Sequence, residues 1–244
     1  MRYKLYLLHI GDLEDMSLQD TAMTLIDNHR KEIVQKKKRE KDRMLAIAAG
    51  LLLQAGFLEL EPTKQHCDRR EIFSDSQTLH EYGMCYKLTA GALVESMQKY
   101  SENGRSIFPI PLIYKTGSQG KPFWDREVLQ AFSPEKRLWY FNLSHSGDYA
   151  ALAVADCAVG VDIQEPRKAE KIPGGYRGFS RLEAYVKCTG AGYAYGHREY
   201  ENARGNVPGY PILSLNLIEE YALHICFADR KEIENVGAEG NDEK

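Results

Sequence analysis

Two carboxylates, an amide and a lysine carry the sharpest chemical signal in this sequence. In Val159-Gly160-Val161-Asp162-Ile163 the alternation of a strand turns Val159, Val161 and Ile163 toward a core. Gly160, Asp162 and Gln164 then share the other face, where the glycine leaves open space beside two side-chain oxygens. Such oxygens suit a hard cation like Mg²⁺, which keeps part of its shell for substrate phosphates. An ordinary polar strand face is the plainer reading. Downstream, Glu183 and Lys187 stand four apart in Phe179-Ser180-Arg181-Leu182-Glu183-Ala184-Tyr185-Val186-Lys187, a helix whose Phe179, Leu182 and Val186 form an apolar stripe. An acid beside a base fits a metal–phosphate site. Ser180-x-x-Glu183 also reads as a capping box, and Glu183 with Lys187 as a routine ion pair.

Upstream, Ser144-His145-Ser146-Gly147-Asp148 offers hydroxyls and an imidazole around a glycine turn, enough donors to meet a phosphate. A plain hairpin turn explains the same residues. A hydrolase using Ser144 or Ser146 with His145 is disfavoured, because a nucleophile next to its base is not triad-like and no G-x-S-x-G elbow occurs.

The elements that must position these groups follow from periodicity. Strands are predicted over residues 3–10, 138–144, 149–155 and 159–163, with a hairpin at Ser146-Gly147-Asp148. Helices are predicted over residues 18–28, 44–53, 90–100 and 180–188, the last stopped by Gly190. Residues 30–43 carry eight basic and three acidic side chains and lead into the apolar 44–53 segment. The stretch from Glu61 to Lys115 gives a weak pattern, and Gly237 to Lys244 read as a frayed tail.

Composition narrows the classes. With 244 residues the chain makes one large domain or two small ones, and 43% hydrophobic residues suffice for a core. A net charge of -3 argues against a general nucleic-acid-binding surface. The longest apolar stretch, residues 44–60, is broken by Gln54, Gly56 and Glu59, and the first residues lack a signal-peptide core, so a cytoplasmic location without a membrane span is expected. Five cysteines without a C-x-x-C pair read as reduced structural thiols, and His66-Cys67-Asp68 does not make a zinc site.

Taken in order, Asn142-Leu143-Ser144-His145-Ser146-Gly147-Asp148, Val159-Gly160-Val161-Asp162-Ile163 and Phe179-Ser180-x-x-Glu183-Ala184-x-x-Lys187 resemble the 4′-phosphopantetheinyl transferases, in their larger monomeric form. Gly120-Lys121-Pro122 matches the family's nucleotide-side motif. The resemblance covers residues 116–190, and loosely the basic helix near 36–53.

The resemblance implies an α+β pseudo-dimer: two similar halves, each a small antiparallel sheet packed with helices, and an active-site cleft between them. The halves would be residues 1–156 on the coenzyme A nucleotide side and 157–236 on the metal and catalytic side, with 237–244 outside both. It implies a monomer whose partners are coenzyme A and an apo acyl- or peptidyl-carrier protein, and no nucleic acid or membrane. Mg²⁺ is the implied cofactor, held by Asp162, Gln164 and Glu183. Glu183 would accept the carrier serine's proton and Lys187 would pair with a phosphate. Ser144, His145, Lys121, Pro122, Lys41 and Arg43 would seat coenzyme A.

The chain also departs from the pattern. Gln164 stands where relatives place a carboxylate, and Leu182 where they place a lysine, which would remove a positive charge from the pocket. Phe179 replaces a frequent tryptophan, and the helix normally lying between Asp162 and Glu183 is expected to shrink to a loop over residues 168–178. These departures favour, as the alternative, a degenerate relative that binds coenzyme A or a carrier protein without transfer.

Overall fold

The computed structural model describes residues 2–61, 72–74, 83–103, 108–111, 114–116, 121–125, 130, 138–166 and 174–228, with only the backbone of 72–74 and 114–116. The first strand, β1 (Tyr3–His9), lies at the centre of a four-stranded sheet. Its neighbours are β3 (Gly83–Thr89) on one side and β7 (Tyr149–Ala155) on the other, and β7 pairs in turn with β6 (Tyr140–Ser146). The expected antiparallel arrangement needs one correction. β1 and β3 run parallel, because the long chain segment between them allows a crossover, while β1–β7 and β6–β7 are antiparallel.

The second sheet is antiparallel throughout, in the order β2 (Ile72–Ser74), β9 (Ile212–Leu215), β10 (Ala222–Phe227) and β8 (Val159–Gln164). Thus β2, from the first half of the sequence, completes the sheet of the second half. A short antiparallel pair joins β4 (Tyr114–Thr116) to β5 (Pro122–Trp124), which starts directly after Lys121.

The helices form outer layers. The helix predicted over 18–28 is α1 (Met16–Leu25), and a further helix, α2 (Asn28–Gln35), follows it, because Asp27 accepts from the Arg30 amide and starts a new helix. The basic run is therefore divided between α2, an exposed turn and the start of α3 (Glu40–Phe57). α3 runs beyond its predicted end, since Gly56 lets it lie on the first sheet; a Cβ there would sit 2.3 Å from Leu152. Gln54, buried in α3, exchanges two hydrogen bonds with the backbone of Ile110 and so avoids an unpaired amide. α4 (Ala90–Glu102) falls where predicted; Asp12 accepts from the Ala90 and Gly91 amides at its start.

One core lies between the helices and the first sheet, where Trp124 packs on Phe57 and Phe141. A second joins the inner faces of the two sheets, with Leu5, Leu7 and Ala153 opposing Val161, Ile163 and Leu213. A third lies outside the second sheet, under α5 (Gly175–Thr189) and the short α6 (Tyr193–Asn202) that follows. Cys85, Cys157, Cys188 and Cys226 are buried free thiols, whereas Cys67 with its neighbours lies outside the described residues, as do 237–244. Among the described residues no helix is long and apolar enough to cross a membrane.

Candidate active site

Ser144, Asp162 and Lys187 meet where the edge strands of the two sheets approach. β8 has β10 on one edge, which leaves alternate backbone N–H groups on its other edge without a ladder partner. β6 supplies the partners from side chains. Asn142 Oδ1 accepts from the Val161 amide at 2.9 Å, Ser144 Oγ from Ile163 at 3.3 Å and Ser146 Oγ from Glu165 at 3.0 Å. Two period-2 patterns thereby lock in register, and the sheets are joined by side chains rather than by a shared ladder. Asn142 and Ser146 belong to this seam. Their spacing around Ser144 is the signal that marks them in the sequence.

The seam sets Ser144 against Asp162. The Ser144 hydroxyl donates to Asp162 Oδ1 at 2.9 Å, and Lys187 Nζ reaches the same carboxylate oxygen at 2.6 Å and Ser144 Oγ at 3.1 Å. Asp162 Oδ2 is buried without a hydrogen-bond partner. The Asp162 side chain is only 6% exposed, so this anion depends on the few groups that face it.

α5 carries the other carboxylate. Ser180, Glu183, Ala184 and Lys187 follow helical spacing and share the face turned to β8. Glu183 is half-buried, and its proton affinity is raised by burial first; Lys187 lowers it and the charge of Asp162 raises it further. Glu183 thus feels the charge of Asp162 across the strand–helix contact.

Several expectations are corrected here. β8 is buried along its whole length, and Gly160 opens no space: a Cβ there would lie 2.1 Å from the Ala184 carbonyl and 2.4 Å from the Cys188 amide. The glycine instead lets α5 approach the strand. Because those atoms are main chain and cannot swing away, Gly160→Ala should cost about 3 kcal/mol. A thermal melt checks this, and an unchanged midpoint would contradict the close contact.

α5 begins at Gly175, so Gly175–Gly178 are helical rather than loop, and residues 167–173 lie outside the described residues. Ser180 is therefore in the helix interior and caps nothing; its hydroxyl donates to the Asp162 carbonyl at 3.1 Å. Lys187 turns to Asp162 rather than forming the routine helical pair. Leu182 is buried in the apolar cluster with Tyr185, Val207 and Ile212, so it takes no charge out of a pocket. Phe179 is only half-buried.

The remaining candidates lie further out. Gln164 is buried on the same strand, its amide donating to the Glu165 carbonyl at 3.4 Å. His145 is exposed, and as the alternate neighbour of Ser144 it is on the strand face opposite the seam. Lys41 pairs with Asp148 of the hairpin at 2.7 Å, which raises its proton affinity and brings the start of α3 to the end of the seam. Arg43 pairs with Glu40 at 3.0 Å. Lys121 is half-buried and donates to the Cys188 carbonyl at 2.6 Å; loss of solvent around the amine pushes its proton affinity down. In this structure it ties β5 to the end of α5 instead of facing outward, and Pro122 stands beside it at the start of β5.

Beneath Asp162 lies a residue that sequence reasoning overlooked. His224 pairs with Asp162 in the β8–β10 register, and its Nδ1 lies 3.1 Å from Ser180 Oγ. Burial, then the charges of Arg181 and Arg177, push its imidazole down to about 3. The folded state thus holds it neutral while the unfolded chain protonates near 6.5, so its contribution is complete above that value and is lost as pH falls toward 3. Moving from pH 7 to pH 5 should remove about 2 kcal/mol through this group. Urea unfolding of wild type and His224→Asn at both pH values checks it; equal losses would contradict the buried neutral ring.

This arrangement of a buried orphan carboxylate oxygen, a second acid and a lysine suits a hard divalent cation and a phosphate, although among the described residues no three His, Cys, Asp or Glu side chains cluster as a metal site. Comparison with known proteins finds partial matches. Over 61 residues the chain is 49% identical to the 4′-phosphopantetheinyl transferase AcpT of Escherichia coli (strain K12), a match covering 24% of this chain and 26% of that protein. Over 108 residues it is 32% identical to the 4′-phosphopantetheinyl transferase psf-1 of Bacillus pumilus, covering 35% of this chain and 42% of the relative. The chain thus matches between about a quarter and two fifths of the length of these relatives. No protein-family model matches it.

Proposed function

We propose that this chain is a 4′-phosphopantetheinyl transferase of the larger monomeric type, with residues 1–156 and 157–236 as its pseudo-dimeric halves. It moves the phosphopantetheine arm of coenzyme A to a serine of an apo acyl- or peptidyl-carrier protein and releases 3′,5′-ADP. The observation that carries this reading is the Asp162 carboxylate, with one oxygen held by Lys187 and Ser144 and the other buried and unpartnered. Glu183 approaches it from α5.

Asp162 and Glu183 would hold Mg²⁺, with Gln164 able to lend an amide oxygen. Bound there, the ion would neutralise charge on the pyrophosphate, the largest electrostatic demand of phosphoryl transfer. Glu183 suits the proton acceptor, because burial has already raised its affinity for a proton. Lys187 would pair with a phosphate oxygen, and His145, Lys41 and Arg43 would seat the rest of coenzyme A. The carrier supplies the nucleophile, so this chain needs no catalytic serine, and Ser144 serves Asp162 instead.

The degenerate-relative reading loses one of its motives, because Leu182 belongs to the core rather than to a pocket. Mass spectrometry of several apo-carrier proteins after incubation with coenzyme A and Mg²⁺ decides between the two. A gain of the phosphopantetheine mass on any carrier supports transfer. Binding of coenzyme A without any gain would support the degenerate reading.

A further inference from the structure

The strand and helix that bear the two acids meet closely at Gly160, over which lie the Ala184 carbonyl and the Cys188 amide. Polar side-chain ties add to this contact in fixing how far along β8 the helix sits, the Cys188 thiol on the Ala158 carbonyl at 3.4 Å among them. Lys187 provides one through a long, rotatable side chain that is 27% exposed. Ser180 provides another through a short link, from a fully buried position, to the Asp162 carbonyl.

Ser180 needs help to keep that bond. A serine inside a helix can turn its hydroxyl back to the carbonyl four residues earlier. Its single proton serves one acceptor at a time. Since the Ser180 proton goes to Asp162, the 3.1 Å contact with His224 must have the ring donating from Nδ1 to Ser180 Oγ. That donor fills the lone-pair side of the oxygen and aims the proton at the strand. His224 itself is held opposite Asp162 by the sheet register. Glu183 is three residues beyond Ser180, one turn along the same face.

The geometry points to Ser180 and His224 as positioning residues that set where Glu183 sits against Asp162, and hence how tightly the pair holds a divalent cation. This rests on the transferase reading, in which both acids share one ion. Neither residue touches substrate; both act through the placement of Glu183.

Mn²⁺ affinity of the full chain, followed by electron paramagnetic resonance, tests the tie without requiring turnover. Ser180→Ala and His224→Leu should each weaken Mn²⁺ about tenfold and lower kcat to a similar degree, with the KM for coenzyme A unchanged. His224→Asn should restore most of the affinity, because its amide nitrogen can donate from nearly the place of Nδ1. The double variant Ser180→Ala/His224→Leu should be no worse than either single one, since both remove the same bond. Should His224→Leu fail to fold, Ser180→Ala carries the test alone. Wild-type affinity in Ser180→Ala, or defects that multiply in the double variant, would overturn the tie. A wild type that binds Mn²⁺ yet loads no carrier overturns the transferase reading, and the Mn²⁺ series still judges the tie. A wild type that binds no Mn²⁺ overturns both.

Discussion

Glu183→Gln should abolish transfer of the phosphopantetheine arm, by at least about a thousandfold, while leaving the protein as stable as before. A positioned base contributes roughly 10²–10⁴ to such a rate, and loss of a cation ligand adds to that. The fold has no need of the acid. Position 183 lies inside α5, is half-buried, and burial already disfavours its charged form. A neutral amide of the same shape removes that penalty. Carrier loading by mass spectrometry together with a urea melt checks both halves, and retained turnover would reject the proposed role.

Lys187→Met should bring, in addition to impaired transfer, a large loss of stability that a divalent cation partly repairs. The lysine is 2.6 Å from a carboxylate that is 6% exposed, and removing one partner of such a pair leaves an uncompensated buried charge. Losses of about 3–5 kcal/mol are usual, and the lower end is expected because Lys187 is itself partly exposed. If Asp162 Oδ2 is open to a cation, millimolar Mg²⁺ should raise the urea midpoint of the variant more than that of wild type. Adding Asp162→Asn should recover most of the loss, because the two residues act as a pair. Equal Mg²⁺ responses in variant and wild type would count against cation binding at Asp162.

The sequence made these groups visible as types and spacings, but not in their contacts. β8 and its hairpin neighbours were legible because their alternation is local. The start of α5 and the break at Asp27 were not, since Gly174 and Gly175 look like loop residues until a helix packs over them. Gly160 looked like open space for a related reason: a missing side chain can mean room for a ligand or room for a backbone, and only tertiary packing distinguishes the two. Gln164 could be read as an exposed ligand only while the strand was taken to have a wet face; α5 covers that face. The apolar surroundings of Leu182 depend on β9 and β10, which enter the chain later. His224 was overlooked because nothing near it in sequence points to Asp162. The pairing across β8 and β10 makes them neighbours. Lys121 illustrates the limit of a motif, since its ammonium is engaged by a helix terminus sixty-seven residues away.

A crystal of the protein grown with Mn²⁺ and coenzyme A, with anomalous scattering recorded above the manganese edge, addresses the whole account at once. One peak within bonding distance of both Asp162 Oδ2 and a Glu183 oxygen, with a coenzyme A phosphate completing the shell, is the predicted result. Manganese bound elsewhere, or coenzyme A seated with no metal between the strand and helix acids, would contradict it.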